Sequence, residues 1–186
     1  VPGVGMSVPN DNANNEGGEI IVSDSVNSTG PCFTVGTDAA FRFDLKVKVP
    51  DVSDYDIIAA GFRLQAAMVD DLNDDPELIT LYSDIGCLNI NEGTIDTCTR
   101  LNTGTGVDTP TTDTVADAAT VTLTTLVSSA GVVTFQIDGS SPTVNTNTLT
   151  FDSGDVVIPF FAYCKDADAA SDTPPILVSW FSGHQQ

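Results

Sequence analysis

Acidic side chains dominate the 186-residue chain, because 26 Asp and Glu stand against 6 Lys and Arg and give a formal net charge of −20. A surface of that sign repels phosphate, so nucleic acids and anionic membranes are excluded as direct partners. The length allows one sizeable hydrophobic core rather than two domains, and no stretch approaches the roughly 20 apolar residues of a membrane span.

Residues 1–18 are predicted to be an extended N-terminal arm. They contain two Pro, four Gly and an Asn/Asp tract, so they cannot bury enough apolar surface to fold alone. An arm of this kind either dangles or lies along a neighbouring subunit. Residues 19–186 are predicted to form a single β-sandwich domain.

Short extended segments separated by turn signals fill the chain from residue 19 onward. About eleven of them, with Gly-, Asn- and Asp-rich turns between, indicate an all-β antiparallel sandwich. The segments are 19–26, 40–49, 56–64, 77–82, 84–90, 94–100, 119–127, 132–138, 146–152, 155–164 and 176–183.

Segment 40–49 shows the clearest strand periodicity. Its apolar and charged residues alternate, which predicts a half-buried strand with one face in the core. The predicted inward residues are Phe41, Phe43, Leu45, Val47 and Val49. Residues 64–78 are the one stretch with helical spacing, and a short helix and an irregular loop remain equal alternatives there.

Five stretches resemble a known fold family: FRFDLKVKV, IIAAGFRL, VTFQIDG, FDSGDVVIPFFAY and LVSWFSG. Together they are similar to the concanavalin A-like, laminin-G-like jelly rolls. The resemblance implies that Phe135 and Ile137 face one way and that Asp138 and Gly139 form a hairpin turn. The predicted fold class is therefore an all-β, antiparallel jelly-roll sandwich with an extended N-terminal arm.

A narrower resemblance is carried by AGVVTFQIDGSSPTV, LTFDSGDVVIPFF, KDAD and the C-terminal Trp strand. These stretches are similar to virion structural proteins of marine tailed bacteriophages. The resemblance implies a capsid decoration or cement subunit on the head exterior, which would bind the major capsid protein, form homo-oligomers and stabilise the shell, with host surface glycans as a further partner. The alternative is a calcium-assisted, lectin-like carbohydrate-binding module, on a virion or extracellular.

The four cysteines are disulfide candidates. If Glu92 and Gly93 form a two-residue hairpin turn, Cys87 lies directly opposite Cys98, which predicts a bridge between them. In jelly rolls of the resembled type the terminal strands are neighbours, which implies a second bridge between Cys32 and Cys164. Four buried thiols are the alternative.

Two acid-rich loops are candidate calcium sites. The first offers Asp71, Asn73 and Asp75 at alternate positions, but Pro76 stands where an EF-hand loop needs Gly. The second offers Asp166, Asp168 and Asp172. Both patterns also suit a solvated rim that binds no metal, and no other cofactor is predicted.

No catalytic residues are predicted. The four Glu of the chain, at positions 16, 19, 77 and 92, form no paired motif of the kind that glycosidases of this fold carry on one strand. The single histidine, His184, lies two residues from the C-terminus, which suits a frayed end better than a catalytic base.

Overall fold

The computed structural model describes residues 6–8, 17–21, 32–65, 80, 82–144, 147–165 and 176–185. Within these ranges the chain forms twelve β-strands and one turn of 3-10 helix at Val52–Asp54. The strands are β1 (Met6–Val8), β2 (Gly17–Ile21), β3 (Phe33–Thr34), β4 (Phe41–Lys48), β5 (Tyr55–Leu64), β6 (Ile85–Asn91), β7 (Thr94–Arg100), β8 (Val107–Thr114), β9 (Thr120–Val127), β10 (Val133–Ile137), β11 (Val156–Lys165) and β12 (Ile176–Gln185). In the described part of the chain, no helix has the length and apolar character needed to cross a membrane.

The strands form two antiparallel sheets. The smaller sheet has the order β1-β12-β4-β9-β10, and the larger has the order β2-β11-β5-β6-β7-β8 with β3 also paired to β11. Strands distant in sequence, such as β4 and β12, are neighbours in space, as long connections between the layers of a jelly roll require. The predicted all-β antiparallel jelly-roll sandwich is confirmed.

The main core lies between the two sheets. Phe41, Phe43, Leu45 and Val47 of β4 all have 0% exposure, which confirms the alternation predicted for segment 40–49. Phe62 of β5 meets three of the core rings edge-on, with centroid distances of 5.9 Å to Phe33, 5.0 Å to Phe41 and 6.2 Å to Phe43. The contacts with Phe41 and Phe43, which belong to β4 of the smaller sheet, hold the two layers together.

A second buried cluster covers the outer face of the larger sheet. Residues 58, 60 and 62 of β5 point into the main core, while the alternate residues point to this outer face. Both faces of β5 and β11 are therefore buried. The members of the outer cluster are Ile57, Ala59, Tyr82, Ile85, Cys87, Cys98, Phe160, Ala162 and Cys164.

The β6–β7 hairpin has the predicted register. Glu92 and Gly93 have φ angles of 45° and 84°, as a type I′ turn requires. Asn91 consequently pairs with Thr94, and Cys87 pairs with Cys98. The hairpin therefore brings the two cysteines face to face on the outer side of the sheet.

Parts of the predicted arm belong to the sandwich. Met6–Val8 pairs with Ile176–Val178 as the edge strand β1, and Gly17 and Gly18 open β2 against β11. Backbone pairing with a neighbouring strand needs no apolar side chains, which is why the composition of residues 1–18 did not indicate it.

Two strand predictions were wrong. Residues 146–152 contribute only an isolated bridge between Thr150 and Val132 in the part described. Residues 107–114, which were not predicted as a strand, form β8 at the edge of the larger sheet. β8 is polar on both sides and contains Pro110, a residue that sheets accept at their edges. The segments 64–78 and 77–82 lie largely outside the described residues.

Candidate functional site

An open groove of about 530 Å³ lies at the rim of the sandwich, where the end of β8 from the larger sheet approaches the start of β9 and the end of β10, with the turn after it, from the smaller sheet. Its volume lies within the range of small-ligand sites. The lining residues are Asp113, Thr114, Val115, Ala116, Ala119, Thr120, Val121, Ile137, Asp138, Ser140, Ser141 and Thr143.

One wall of the groove is the turn after β10. Asp138 and Gly139 have φ angles of 49° and 81°, and Ile137 and Ser140 exchange backbone hydrogen bonds of 2.8 and 3.0 Å. The predicted turn at Asp138 and Gly139 is therefore formed. The Asp138 carboxylate also accepts a hydrogen bond of 2.8 Å from the Thr122 amide, which fastens the turn to β9.

The opposite wall is the end of β8. Asp113 accepts two hydrogen bonds from Thr143, one from the amide at 2.8 Å and one from the hydroxyl at 2.7 Å. These bonds, the backbone one first, lower the pKa of the Asp113 carboxyl, so it is ionised at neutral pH. Asp113 thus ties two segments 30 residues apart across the groove.

The groove combines polar walls with an aliphatic floor. Carboxylates and hydroxyls come from Asp113, Asp138, Ser140 and Thr143, while Val115, Val121 and Ile137 supply apolar surface. None of the lining residues is aromatic or basic. Such a surface offers hydrogen-bond acceptors and donors to a neutral hydroxylated ligand and repels an anionic one.

The predicted cysteine pair belongs to a polar cluster on the outer face of the larger sheet. Cys87 and Cys98 are both thiols in the structure, and Cys98 donates a hydrogen bond of 3.2 Å to Asp108 of β8. Contact with the Cys87 thiol, followed by burial, raises the pKa of the Cys98 thiol well above its ordinary value. The bridge between them stays a prediction, and the register supplies the opposed positions that it needs.

The sheet register argues against the bridge between Cys32 and Cys164. Phe33 pairs with Val157 of β11, so Cys32 lies beside Ile158, whereas Cys164 is six residues further along the same strand. At about 3.3 Å per residue the two positions are separated by about 20 Å, well beyond the roughly 7 Å that a disulfide spans between Cα atoms. The terminal strands are neighbours, as predicted, but the two cysteines lie at different positions along β11.

Asp96 of β7 completes the same polar cluster. Its Oδ1 atom is buried and has no hydrogen-bond partner among the residues that the structure describes. Burial, and then the charge of nearby Asp108, raise the pKa of Asp96 to about 6. Burial also raises the pKa of Asp108, against the effect of hydrogen bonds from Cys98 and Thr109.

A buried ion pair lies at the other end of this outer face. Arg63 donates to Glu19 through Nε at 2.5 Å and Nη2 at 3.0 Å, and the Tyr82 hydroxyl donates to Glu19 at 2.7 Å. The guanidinium also lies 4.2 Å from the centre of the Tyr82 ring. Sequence reasoning missed this network, although a single Arg inside the apolar segment 56–64 was a signal for a buried charge.

The predicted calcium residues Asp71, Asn73, Asp75, Asp166, Asp168 and Asp172 lie outside the described residues. Among the residues that are described, no group of three or more His, Cys, Asp or Glu side chains is arranged to hold a metal ion. The backbone at His184 lies in β12, and its side chain falls outside the description.

Three solved structures illustrate what the fold is similar to. The carbohydrate recognition domain of Emp47p superposes with a TM-score of 0.55 at 15% identity, over 97% of this chain and 90% of that one. The carbohydrate binding module CBM66 from Bacillus subtilis gives a TM-score of 0.53 at 9% identity, over 98% and 92%. An alginate lyase from Pseudomonas aeruginosa gives 0.52 at 12% identity, over 86% and 71%.

The chain has a concanavalin A-like jelly-roll fold. At these identities the likeness concerns the fold alone. No family model matches the chain, and no curated protein sequence is significantly similar to it. None of the three structures is a virion protein, so the predicted capsid role, with its partner and location, has no support from them.

Proposed function

We propose that this chain is a carbohydrate-binding domain and that the rim groove is its binding site. The observation that carries the proposal is the groove itself, with carboxylate and hydroxyl walls over an aliphatic floor in about 530 Å³. Two structures of the same fold are a carbohydrate recognition domain and a carbohydrate-binding module, which favours this function over capsid decoration.

The groove suits a neutral sugar in its chemistry. Ring hydroxyls can donate to Asp113 and Asp138, while the aliphatic C–H face of a sugar ring packs on Val121 and Ile137. Because hydrogen bonds from Thr143 and Thr122 already hold the two carboxylates in place, little conformational entropy is lost when a ligand binds.

Binding without catalysis is part of the proposal. Glycoside hydrolysis needs one carboxyl group whose pKa is raised so that it can act as a general acid. The pKa of Asp113 is lowered instead, by its hydrogen bonds from Thr143. The groove also lacks a basic side chain that could neutralise a uronate, which a lyase acting on alginate must do.

The groove does not suit a calcium ion. Both Asp113 oxygens and one Asp138 oxygen are already hydrogen-bonded, and no third acidic side chain lines the groove. Calcium takes six to eight oxygen ligands. We therefore expect EDTA to leave binding at the groove unchanged.

A glycan array, followed by calorimetric titration with the strongest neutral oligosaccharide, tests the proposal. Thr120→Trp places a large side chain into the groove and should weaken binding by at least about tenfold. Thr134→Trp is the matched control, because Thr134 is also exposed and lies on the adjacent strand but does not line the groove. Its affinity should equal that of the unaltered protein.

Three results would contradict the proposal. They are no binding to any neutral glycan, equal binding by both Trp variants, and turnover of the oligosaccharide during the titration. The capsid decoration role is a separate prediction, and it is tested by whether the chain co-purifies with virus particles.

A further inference from the structure

The Oδ1 atom of Asp96 is the buried side-chain oxygen or nitrogen that lacks a partner among the described residues. Asp96 as a whole is only 6% exposed. A buried ionised carboxylate without a donor is costly, so the structure requires something that neutralises or binds this oxygen.

The groups that face Asp96 come from three strands of the larger sheet. On β6, Asn89 lies directly opposite Asp96, and Cys87 lies two residues before Asn89 on the same face. On β7 the neighbour is Cys98, two residues after Asp96. On β8 Pro110 lies directly opposite, and Asp108 is the diagonal neighbour on the same face, near enough for its charge to act on Asp96. The charged or titratable groups in this set are therefore one carboxyl and two thiols.

The arginines of the chain do not neutralise the pair. Arg42 binds Asp44, and Arg63 binds Glu19. Arg100, which is two residues beyond Cys98 on β7, donates to the backbone carbonyls of Thr80, Tyr82, Thr103 and Gly104. No described side chain donates to Asp96 Oδ1, so a proton is the simplest remaining partner, and burial together with the nearby charge of Asp108 favours the protonated carboxyl.

β8 connects this carboxyl pair to the rim groove. Asp96 pairs with Pro110 and Thr94 pairs with Thr114, so two extra residues of β8 form an irregularity between them. Thr112 within it has a φ angle of 66°. The next residues, Asp113 and Thr114, line the groove, so the register of β8 sets the position of that wall.

We propose that a proton held by the Asp96–Asp108 pair keeps the edge strand β8 hydrogen-bonded to β7, a state called closed below. The pairing of β8, and with it the position of the groove wall at the end of this strand, is therefore sensitive to pH. Once both carboxyl groups are ionised, the cost of burying Asp96 and the repulsion between the two charges are relieved by opening β8, which among the described strands is the last of the larger sheet and pairs with β7 alone. The part that concerns the groove rests on the proposed function, and the part that concerns β8 does not.

The direction of the pH effect follows from the pKa of Asp96. Burial and the charge of Asp108 raise that pKa from 3.8 to about 6. The folded state thus binds the proton more tightly than the unfolded state, so closure of β8 is favoured below about pH 6 and weakened above it.

Amide hydrogen exchange, corrected for the intrinsic rate at each pH and measured with the thiols reduced, tests the proposal. Protection of the β8 amides that bond to β7 should fall between pH 5 and pH 7.5 by up to about tenfold, because pH 5 lies about one unit below the folded pKa of about 6 and one unit corresponds to a factor of about 10 in an equilibrium constant. The Asp96→Asn variant should keep high protection at both pH values. Asp108→Asn should weaken the pH dependence without abolishing it, because it removes the repelling charge and keeps an acceptor for Cys98 while Asp96 stays buried.

Glu92→Gln is the matched control, because it removes one negative charge at the exposed turn of the same β6–β7 hairpin. It should retain the pH dependence of the unaltered protein. Equal protection of the β8 amides at both pH values in the unaltered protein would overturn the proposal. A pH dependence that is unchanged in the Asp96→Asn variant would overturn it as well. A loss of protection at pH 5 after EDTA treatment would also overturn it, because the partner of Asp96 would then be a metal ion.

These measurements need no glycan. A protein that binds no sugar but shows the predicted exchange contradicts the proposed function alone. A protein that binds a neutral glycan at the groove but exchanges β8 amides equally at both pH values contradicts the pH proposal alone.

Discussion

Two buried acidic residues on the same face of the larger sheet, Glu19 and Asp96, differ in the groups that surround their carboxyl groups. At the β2 end, Glu19 receives two hydrogen bonds from Arg63 and one from Tyr82. At the β8 end, one oxygen of Asp96 has no partner within the described part of the chain, and another carboxyl, Asp108, is its charged neighbour. Glu19 and Asp96 are almost equally buried, at 7% and 6% exposure.

The comparison shows that burial alone does not decide how a carboxyl group behaves. At Glu19 the desolvation cost is offset by a bidentate cation and a hydroxyl donor. At Asp96 no described side chain donates to Oδ1, and burial favours the protonated carboxyl instead. Charge removal should therefore have opposite effects at the two ends of the face.

The largest effect is expected from Arg63→Met. This change leaves Glu19 buried without its cation, which should cost about 3–5 kcal/mol of the free energy of unfolding. Denaturant unfolding at pH 7.5 measures it. The double variant Glu19→Met with Arg63→Met should be less destabilised than Arg63→Met alone, because no buried charge remains. A loss below 1 kcal/mol in the single variant would mean that water reaches Glu19.

Asp96→Asn should have the opposite sign. Since the folded pKa of about 6 lies above the unfolded 3.8, the charged carboxyl destabilises the fold above pH 6, and the group is protonated in both states below about pH 3.8. The variant should therefore gain about 1–3 kcal/mol at pH 7.5 and nothing at pH 3.5. Thermal unfolding across this range, with the thiols reduced, provides the measurement. Destabilisation at pH 7.5 would contradict the assignment.

The smallest effect is expected from Tyr82→Phe. It removes the hydroxyl that donates to Glu19 but keeps the ring beside the Arg63 guanidinium, so the loss should be about 1–2 kcal/mol. Tyr82→Leu, which removes the ring as well, should cost more. Equal losses in the two variants would show that the ring contributes nothing to holding Arg63.

Much of the fold could be predicted from local pattern. The alternation in segment 40–49 predicts β4, and Glu92 with Gly93 predicts both the turn of the β6–β7 hairpin and the opposition of Cys87 and Cys98. These features depend on residues close together in sequence, where side-chain period and turn chemistry act directly.

β8 could not be predicted in this way. It is an edge strand with Pro110, polar residues on both sides and a positive φ at Thr112, so it shows no apolar alternation. The strand is held by side chains from elsewhere instead, such as Asn147, which donates to the carbonyl oxygens of Thr97 and Val107.

The candidate site was only half predictable for a similar reason. The turn at Asp138 and Gly139 has a local sequence signature. Asp113 acquires its role from Thr143, and Glu19 from Arg63, which are 30 and 44 residues away. A sequence shows that such polar residues are present but not which of them meet.

The central claim is that the outer face of the larger sheet is a closed second core and that the rim groove is the open binding site. Chemical-shift mapping with the bound oligosaccharide tests it most directly. We predict that amides of residues 113–121 and 137–143 shift, while those beside Glu19, Arg63 and Asp96 do not. Shifts confined to the outer face of β5, β6 and β7 would contradict the account.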